Sequence, residues 1–532
     1  MSDCTGGFDA KQVTASEDIV CGQDGLFGFV GLGSDFLRIN ADALSQEPSV
    51  SKGLGSHLPS IPQLLTGYRS GAFSVAQVIC HVYNTIDKYD KTVWIHQRSR
   101  EDALAAAEAL CKQYDGKPLP PLFGVPFAVK DNIDVLGVPT TAAYPSFAYT
   151  ASANARVVDL LLEEGAIFMG KLNMDQLATG LSGCRSPYGT PHCFYSTDHI
   201  PGGSSSGSAV AVAAGLVSFS LGTDTAGSGR VPAALNGVIG LTPTKGTVSC
   251  RGVVPACKSL DTVSVFAPSV SDARRVWLSI NKHDPLDPYA KPRSSLPTWH
   301  VNFRGPAGNG FKFGIPSLTA LDVCSPAYRA QFDLFVQLLA SPACGGKLVD
   351  IDYTPFAKAG ALLYDATLVM ERIASIGPDI IRNGLAKKEL HPTTAAIFTA
   401  AMNRGCSAWD VFSDQARQTE YTRQAQNLFD PMQLNNGRGI DILVIPTTPC
   451  HPTIAEMEAD PLKLNARLGT FTHAATVVDL CGVTINAGRV VDAETGRSLP
   501  FGVTLLGGRG YDAKIHVLAQ WIVENANFGR ES

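Results

Sequence analysis

The sequence predicts an α/β protein that carries a mainly helical insertion, and two observations lead to this fold class. Amphipathic helical segments alternate with short apolar runs in the manner of β–α–β units. Residues 325–435 then show mainly helical spacing, and a further apolar run follows them. The 532 residues are 45% hydrophobic and 17% charged, which is sufficient for a large buried core.

The predicted elements begin near residue 58 and follow in chain order. Apolar residues at spacings of three and four predict helices within residues 61–90 and a second amphipathic helix over 100–114. Residues 121–134 are typical of a buried strand that ends in a polar turn. Residues 154–174 predict a helix, a turn at Gly165 and a strand.

The remaining segments complete the domain organisation. Residues 284–310 are dense in proline and glycine and predict a loop, and residues 441–449 predict a buried strand. Residues 1–57 are interpreted as an amino-terminal arm of uncertain structure. We expect a single domain over residues 58–530, with residues 325–435 as its insertion or lid and no accessory domain after it.

Composition excludes several function classes. The formal net charge is −5 and no basic block is present, which argues against a nucleic-acid partner. No secretory signal and no apolar run long enough to span a bilayer are evident, so we expect no membrane association. The 13 cysteines are scattered, which is typical of reduced thiols in a cytoplasmic protein. No zinc-binding spacing occurs, so we expect no metal.

Two stretches place serines among glycines: GGSSSGSAVAVAAG at 202–215 and GTDTAGSGR at 222–230. A flexible linker is disfavoured, because the first stretch continues into an apolar, alanine-rich helix. A phosphate-binding loop is disfavoured, because no lysine follows the last glycine. A nucleophile elbow would use Ser205 and a downstream histidine, His451 or His473.

A fourth interpretation uses both stretches together with a lysine. Backbone amides of Thr225, Ala226, Gly227 and Ser228 could stabilise a developing oxyanion. Lys130 ends the apolar run GVPFAVK, where burial would lower its pKa enough for it to act as a base. A lysine at the end of a buried strand is more often a structural ion-pair partner, so this role remains open on the residues alone.

At these residues the chain resembles the amidase signature family. Residues 127–143 carry the family's lysine motif, residues 202–267 carry the whole signature, and PFGVTLLGG at 500–508 also matches. The resemblance extends over about residues 60–525. It implies a mixed, twisted central sheet that is covered by helices on both faces, together with the helical insertion.

The resemblance implies hydrolysis of an amide by a Ser–cis-Ser–Lys triad through an acyl-enzyme. Lys130 corresponds to the base, Ser204 to the relay serine in a cis peptide, and Ser228 to the nucleophile. The two serines lie 24 positions apart, as in similar family members. Asp224 and Arg230 are interpreted as structural residues of the turn. This chemistry requires no cofactor.

Within the family, the chain resembles the allophanate hydrolases. The stretches that carry this resemblance are residues 174–193, 240–267, 362–376 and 446–488.

The most informative of these stretches is LLYDATLVMERIASI, whose tyrosine and arginine hold the substrate carboxylate in the allophanate enzymes. Here Tyr364 and Arg372 keep the eight-residue spacing, about two turns if the segment is one helix. Gly180 is implied as a backbone contact to the substrate. The alternative is that Arg372 pairs with an acid and Tyr364 lies in the core.

The resemblance therefore implies conversion of allophanate to ammonia and carbon dioxide in urea degradation, with a functional link to a biotin-dependent urea carboxylase. Two stretches depart from the usual pattern: DATLVME at 365–371 and THAATVVDL at 472–480. Hydrolysis of carbamates (a urethanase) or of other small amides remains an alternative. Further alternatives are a non-catalytic scaffold or a transamidation subunit. A cytoplasmic homodimer is expected.

Overall fold

A computed structural model describes residues 58–296, 310–430 and 439–525. Its main feature is a sheet of 11 strands in the order β1-β5-β2-β6-β8-β7-β12-β13-β11-β9-β10. A separate hairpin pairs β3 with β4. The strands are β1 Trp94–Gln97, β2 Pro126–Lys130, β3 Pro139–Thr140, β4 Tyr149–Thr150, β5 Ile167–Leu172, β6 Phe219–Asp224, β7 Ile239–Thr242, β8 Thr262–Ala267, β9 Phe311–Gly314, β10 Gly346–Leu348, β11 Ile442–Pro446, β12 Cys481–Val491 and β13 Ser498–Gly507.

The helices account for most of the remaining described residues. They are α1 Ile61–Ser70, α2 Val75–Ile86, α3 Arg100–Gln113, α4 Arg156–Glu163, α5 Ser206–Ala213, α6 Val231–Leu235, α7 Val270–Ile280, α8 Leu318–Leu321, α9 Pro326–Leu339, α10 Thr354–Asp365, α11 Leu368–Ile376, α12 Pro378–Ala386, α13 Pro392–Asn403, α14 Ala408–Asn427, α15 Ile454–Ala459, α16 Pro461–Leu468, α17 His473–Val477 and α18 Asp512–Asn525. The helices and strands expected within 61–90, 100–114, 121–134, 154–174 and 441–449 are confirmed.

The sheet is mixed, and its pairing positions the site. Strand β2 runs parallel to β5 on one side and to β6 on the other. The strands β8, β7, β12 and β13 continue the sheet with antiparallel pairing. All residues of β2, β5 and β6 are buried, although successive side chains of a strand point to opposite faces. Both faces of this part of the sheet are therefore covered.

The carboxyl ends of β2 and β6 lie side by side because the two strands are parallel neighbours. Such strand ends are where α/β sheets commonly hold ligands. Lys130 ends β2 and Asp224 ends β6. The cis peptide bond Gly203–Ser204 immediately precedes α5, the helix that crosses over before β6. The two serine-rich stretches and the lysine therefore meet at one edge of the sheet.

The described part of the predicted insertion contains helices α9 to α14, and it also contains the short strand β10, which the sequence analysis did not identify. Strand β10 has three residues and is mostly exposed at the edge of the sheet, so it shows no apolar run. A second apolar cluster joins this insertion to the loop that follows β5. Its members include Met174, Leu177, Ala178, Val369, Ile373, Ile381 and Phe398.

The helix expected to carry Tyr364 and Arg372 is interrupted between them. Helix α10 ends at Asp365, Ala366 is extended with φ −121° and ψ −158°, and α11 begins at Leu368. The two residues therefore do not share one helix, and the two-turn spacing expected from the sequence does not apply. The predicted loop at 284–310 is confirmed as far as residue 296, and the predicted arm at 1–57 lies outside the described residues.

Candidate active site

Lys130 forms the centre of the site. Its side chain is fully buried, and Nζ lies 2.8 Å from Ser204 Oγ and 2.8 Å from Thr223 Oγ1. Burial lowers the pKa of Lys130 to about 7, although nearby carboxylates such as Asp175 and Asp224 oppose this shift. An amine with this pKa is largely neutral just above neutral pH, so it can accept a proton.

Ser204 is held by backbone contacts on both sides of its cis peptide bond with Gly203. The Gly203 N–H donates to the Leu181 carbonyl at 2.7 Å, and the Asp175 N–H donates to the Ser204 carbonyl at 3.1 Å. A Cβ atom on Gly203 would lie 2.1 Å from Asp175 Oδ2, so only glycine fits there. These contacts direct the hydroxyl of Ser204 toward Lys130.

Ser228 lies in the turn between β6 and α6 and is 3% exposed. Asp224 organises this turn: it accepts hydrogen bonds from the Gly227 N–H at 2.7 Å and from Arg230 Nε at 2.8 Å. Thr242 Oγ1 also donates to Asp224, at 3.0 Å. Burial alone would raise the pKa of Asp224, but Arg230 together with the hydrogen bonds from Gly227 and Thr242 outweighs burial and holds that pKa below its usual range. Asp224 and Arg230 thus have the structural role that the sequence predicts.

The four backbone amides predicted as oxyanion donors lie in different hydrogen-bonding environments. The Gly227 N–H is directed at Asp224, which gives it a different role from the one predicted. The carbonyl of Thr225 accepts from Thr476 Oγ1 at 2.5 Å. Because the C=O and N–H groups of one peptide unit point in opposite directions, this bond also fixes the direction of the Ala226 N–H. Thr225, Ala226 and Ser228 remain the predicted donors.

Tyr364 and Arg372 meet across the break between α10 and α11. The Arg372 guanidinium carbon lies 5.7 Å from the centre of the Tyr364 ring. Arg372 Nη1 donates to the Ala178 carbonyl at 3.0 Å and to Thr179 Oγ1 at 3.1 Å, and Nη2 has no partner among the described residues. Among the described residues, no carboxylate forms an ion pair with Arg372. The neighbouring Glu371 instead accepts two hydrogen bonds from Ser259.

The loop contacted by Arg372 also contains Gly180. Leu177 and Ala178 have φ values of 53° and 52°, an unfavourable region for residues with a side chain. Such conformations persist where the surrounding structure holds them, often at functional sites. A Cβ atom on Gly180 would lie 2.6 Å from Asp175 Oδ2, so a side chain is excluded there. The backbone contact of Gly180 to a substrate stays a prediction.

A cavity of about 290 Å³ opens beside Tyr364. Its wall includes apolar residues of α10, α13 and α16 together with the polar residues Arg185, Tyr364, Asp365, Asn465, Thr470 and His473. Thr472, next to His473, donates to the Ala226 carbonyl at 3.1 Å, so this wall packs directly against the turn of Ser228. The cavity volume suits a small molecule of a few heavy atoms rather than a polymer.

A family model described as Amidase matches residues 77–515. The chain belongs to the amidase family. Urea amidolyase of Saccharomyces cerevisiae is 41% identical to this amidase over 438 residues, which cover 81% of this chain and 22% of that protein. The chain thus spans about a fifth of the length of the urea amidolyases that it matches.

Two further comparisons cover larger shares of the relative. The solved structure of Kluyveromyces lactis allophanate hydrolase is 34% identical, has a TM-score of 0.76, and matches 89% of this amidase and 73% of that chain. A glutamyl-tRNA(Gln) amidotransferase subunit from Acidobacterium capsulatum is 31% identical over 413 residues, 74% of this chain and 83% of that protein. The family and these relatives support an amidohydrolase with the mixed α/β amidase fold.

Ser205, the alternative nucleophile considered for this amidase, lies in a different environment from Ser228. Ser205 is fully buried, and its Oγ donates to the Thr223 carbonyl at 3.2 Å. The two histidines considered as its partners lie in other contacts. His451 Nε2 is 2.8 Å from the Ile200 carbonyl, and the His473 ring packs on Tyr364 with ring centres 5.3 Å apart. Burial lowers the pKa of His473 to about 4, so this histidine is neutral.

The sequence analysis missed two residues at the site. Thr223 binds Lys130, and it precedes the aspartate of the motif DTAGS, a position that was passed over. Arg185 lines the cavity. It lies in the stretch CRSPYG at 184–189, where no residue spacing indicated a ligand-binding role. Within the described ranges, no helix is long and apolar enough to cross a membrane.

Proposed function

We propose that this chain hydrolyses the amide bond of allophanate through an acyl-enzyme. Neutral Lys130 takes a proton from Ser204 while Ser204 takes the proton of Ser228, and Ser228 Oγ attacks the amide carbonyl. The oxyanion is stabilised by the amides of Thr225, Ala226 and Ser228. When the C–N bond breaks, the relay returns the proton to the leaving nitrogen and ammonia departs. Water then attacks the acyl group by the same relay and frees Ser228.

The contact between Lys130 and Ser204 is the observation that carries this proposal. A buried lysine whose pKa lies near 7 and which is hydrogen-bonded to a serine supports the role of a base over that of a structural cation. The nucleophilic role of Ser228 is supported by its turn at the end of β6, the strand whose Thr223 also binds Lys130. A scaffold without catalytic function would have no need for this arrangement.

The choice of allophanate is supported by Tyr364 and Arg372. Arg372 is a buried guanidinium that has no acid partner in the described residues and has an unpartnered Nη2. Guanidinium groups form strong paired hydrogen bonds with carboxylates, and allophanate carries one. The similarity to allophanate hydrolase and urea amidolyase favours the same substrate. Product decarboxylation then yields carbon dioxide.

The proposal extends to the setting of the enzyme. Urea amidolyase relatives support a functional link to a urea carboxylase that would supply allophanate from urea. We infer a cytoplasmic homodimer from the family resemblance. Mass measurement of the purified chain in solution tests the dimer directly.

The deciding experiment measures ammonia release by the purified chain from allophanate, from neutral amides and from a carbamate ester. Fast release from allophanate alone is the expected result. Turnover of neutral amides or carbamates without turnover of allophanate would leave the triad in place and overturn the assigned substrate. The Ser228→Ala variant serves as the background control, because it should show no release above the uncatalysed rate.

A further inference from the structure

Three arginine side chains are fully buried in the described residues, and they differ in how their charges are balanced. Arg230 is paired with the carboxylate of Asp224 at 2.8 Å. Arg185 and Arg372 have no carboxylate within ion-pair distance in the part of the chain that the structure describes. A buried charge without a partner is costly, so their retention calls for an explanation.

Arg185 uses only part of its hydrogen-bonding capacity within the protein. Nη1 donates to the Thr179 carbonyl at 2.8 Å, and Nη2 donates to the Pro461 carbonyl at 3.2 Å. A guanidinium has more N–H donors than these two carbonyls use. Arg185 also forms part of the cavity wall together with Tyr364. Donors of Arg185 are therefore available beside the cavity.

Arg185 and Arg372 hold the same short loop from two sides. Arg372 binds the Ala178 carbonyl and Thr179 Oγ1, while Arg185 binds the Thr179 carbonyl. Burial lowers the pKa of Arg185, Asp175 and Tyr364 oppose this shift, and Arg372 adds to it, which indicates that the two cations are neighbours. His473, the other nitrogen base on this wall, is neutral and adds no further positive charge.

Asp175 is an acid close to Arg185, and its carboxylate accepts hydrogen bonds from backbone N–H groups. Asp175 Oδ1 accepts from the Arg185 backbone N–H at 3.0 Å, and Oδ2 accepts from the Gly183 N–H at 3.0 Å. The Asp175 carboxylate thus holds the turn that carries Arg185 and does not pair with its guanidinium. The cavity wall also contains the exposed carboxylate of Asp365, but no carboxylate lies within ion-pair distance of Arg185 among the described residues.

We propose that Arg185 is the second cation of the carboxylate subsite and selects anionic amides over neutral ones. This inference rests on the proposed function and adds a residue that the sequence and the family resemblance do not assign. Arg372 and Tyr364 hold the carboxylate on one side, and Arg185 stabilises the same charge from the cavity wall. The charge of the Arg185 guanidinium, which has no ion-pair partner among the described residues, is balanced when an anionic substrate binds.

The test compares allophanate with biuret, which has nearly the same shape but replaces the carboxylate with a neutral carboxamide. Dissociation constants are measured by calorimetry in the Ser228→Ala background, so that neither ligand is consumed. Arg185→Met should weaken allophanate binding by about 100-fold, the usual cost of removing one partner of a buried charge pair, and change biuret binding less than about threefold. Arg185→Lys should restore part of the preference.

Arg467→Met is the matched control. Arg467 lies on α16 and, like Arg185, donates to a backbone carbonyl, that of Val323 at 2.9 Å, but it is not part of the cavity wall. Its loss should leave the preference for allophanate over biuret unchanged.

The inference would be overturned if Arg185→Met and Arg185→Lys each weakened the binding of allophanate and of biuret equally. Arg185 would then only hold the loop at Thr179 and the carbonyl of Pro461. If Arg185→Met fails to fold, as judged by thermal unfolding, the lysine variant alone decides. Failure of the unmodified enzyme to release ammonia from allophanate would instead overturn the proposed function.

Discussion

The reacting end of the sheet and the carboxylate subsite are built in different ways. Lys130 ends β2, Ser228 follows the end of the parallel neighbour β6, and Ser204 lies just before α5, the helix between these strands; all three residues are buried. Tyr364, Arg372 and Arg185 come from two separate helices and a distant loop. Under the proposed function, the chemistry would depend on the ends of neighbouring strands, whereas substrate choice would depend on how the helical insertion packs on the sheet.

If this comparison is correct, substitutions at the end of the sheet should lower kcat, and substitutions on the helical side should weaken substrate binding and raise KM. The largest expected effect is that of Ser228→Ala, because it removes the attacking oxygen. We expect kcat for allophanate to fall by about 10⁴-fold or more. Ser205→Ala is the control, since its hydroxyl binds the backbone carbonyl and N–H of Thr223, and its kcat should stay within about tenfold of the unmodified enzyme. The reverse pattern would make Ser205 the nucleophile.

Lys130→Met should have the next largest effect. Removal of a positioned base costs about 10² to 10⁴ in rate, so kcat should fall in that range while folding is preserved by the similar length of methionine. Steady-state kinetics together with circular dichroism measures both. A loss below tenfold would show that Lys130 is a structural residue.

The pH profile of kcat/KM sharpens the same assignment. Because burial lowers the pKa of Lys130 to about 7, the amine is protonated below that pH and cannot act as a base. Activity should therefore rise with pH through about 7 and fall about tenfold per pH unit on the acid side. The Lys130→Met variant should lack this limb. A profile that is flat from pH 5 to 8 would contradict a base with this pKa.

On the helical side, Arg372→Met should raise KM for allophanate by about 100-fold and change kcat by less than about fivefold. The guanidinium binds the carboxylate, which does not change during reaction, so it contributes to the ground state and the transition state alike. KM for a neutral amide should stay the same. A fall in kcat with unchanged KM would place Arg372 in the chemistry and remove the contrast between the two regions.

The smallest expected effect tests the break between α10 and α11. Arg404 donates to the carbonyls of Ala366 at 2.8 Å and Tyr364 at 3.0 Å, and it is exposed. Arg404→Met should raise KM about two- to threefold at constant kcat, because exposed hydrogen bonds contribute little. Arg382→Met is the control, since its side chain pairs with the exposed Asp379 on α12 and not with the break. Equal effects of the two variants would show that Arg404 does not position Tyr364.

Three strands of the sheet, β2, β5 and β11, could be predicted from the sequence because each is a short, mainly apolar run followed by a turn. Strand β2 illustrates this: every residue of PFAVK is buried, and Lys130 is its last residue. Strand β10 could not be predicted, because its pairing with β9 depends on backbone contacts at a mostly exposed edge. The break at Ala366 was also missed, since nothing in DATLVME interrupts a helical pattern.

The sequence by itself determined the residues of the reacting end. Ser204, Ser228 and Asp224 lie within one contiguous stretch, and short separations along a chain restrict how residues can be arranged in space. The family resemblance pointed to Tyr364 and Arg372, but only the tertiary structure added Arg185 to the proposed carboxylate subsite and showed what holds Arg372. Arg372 binds Ala178 across 194 positions, and Arg185 binds Pro461 across 276. Helical and strand periodicity carry no information over such separations, because these contacts follow from packing between elements and not from geometry within one.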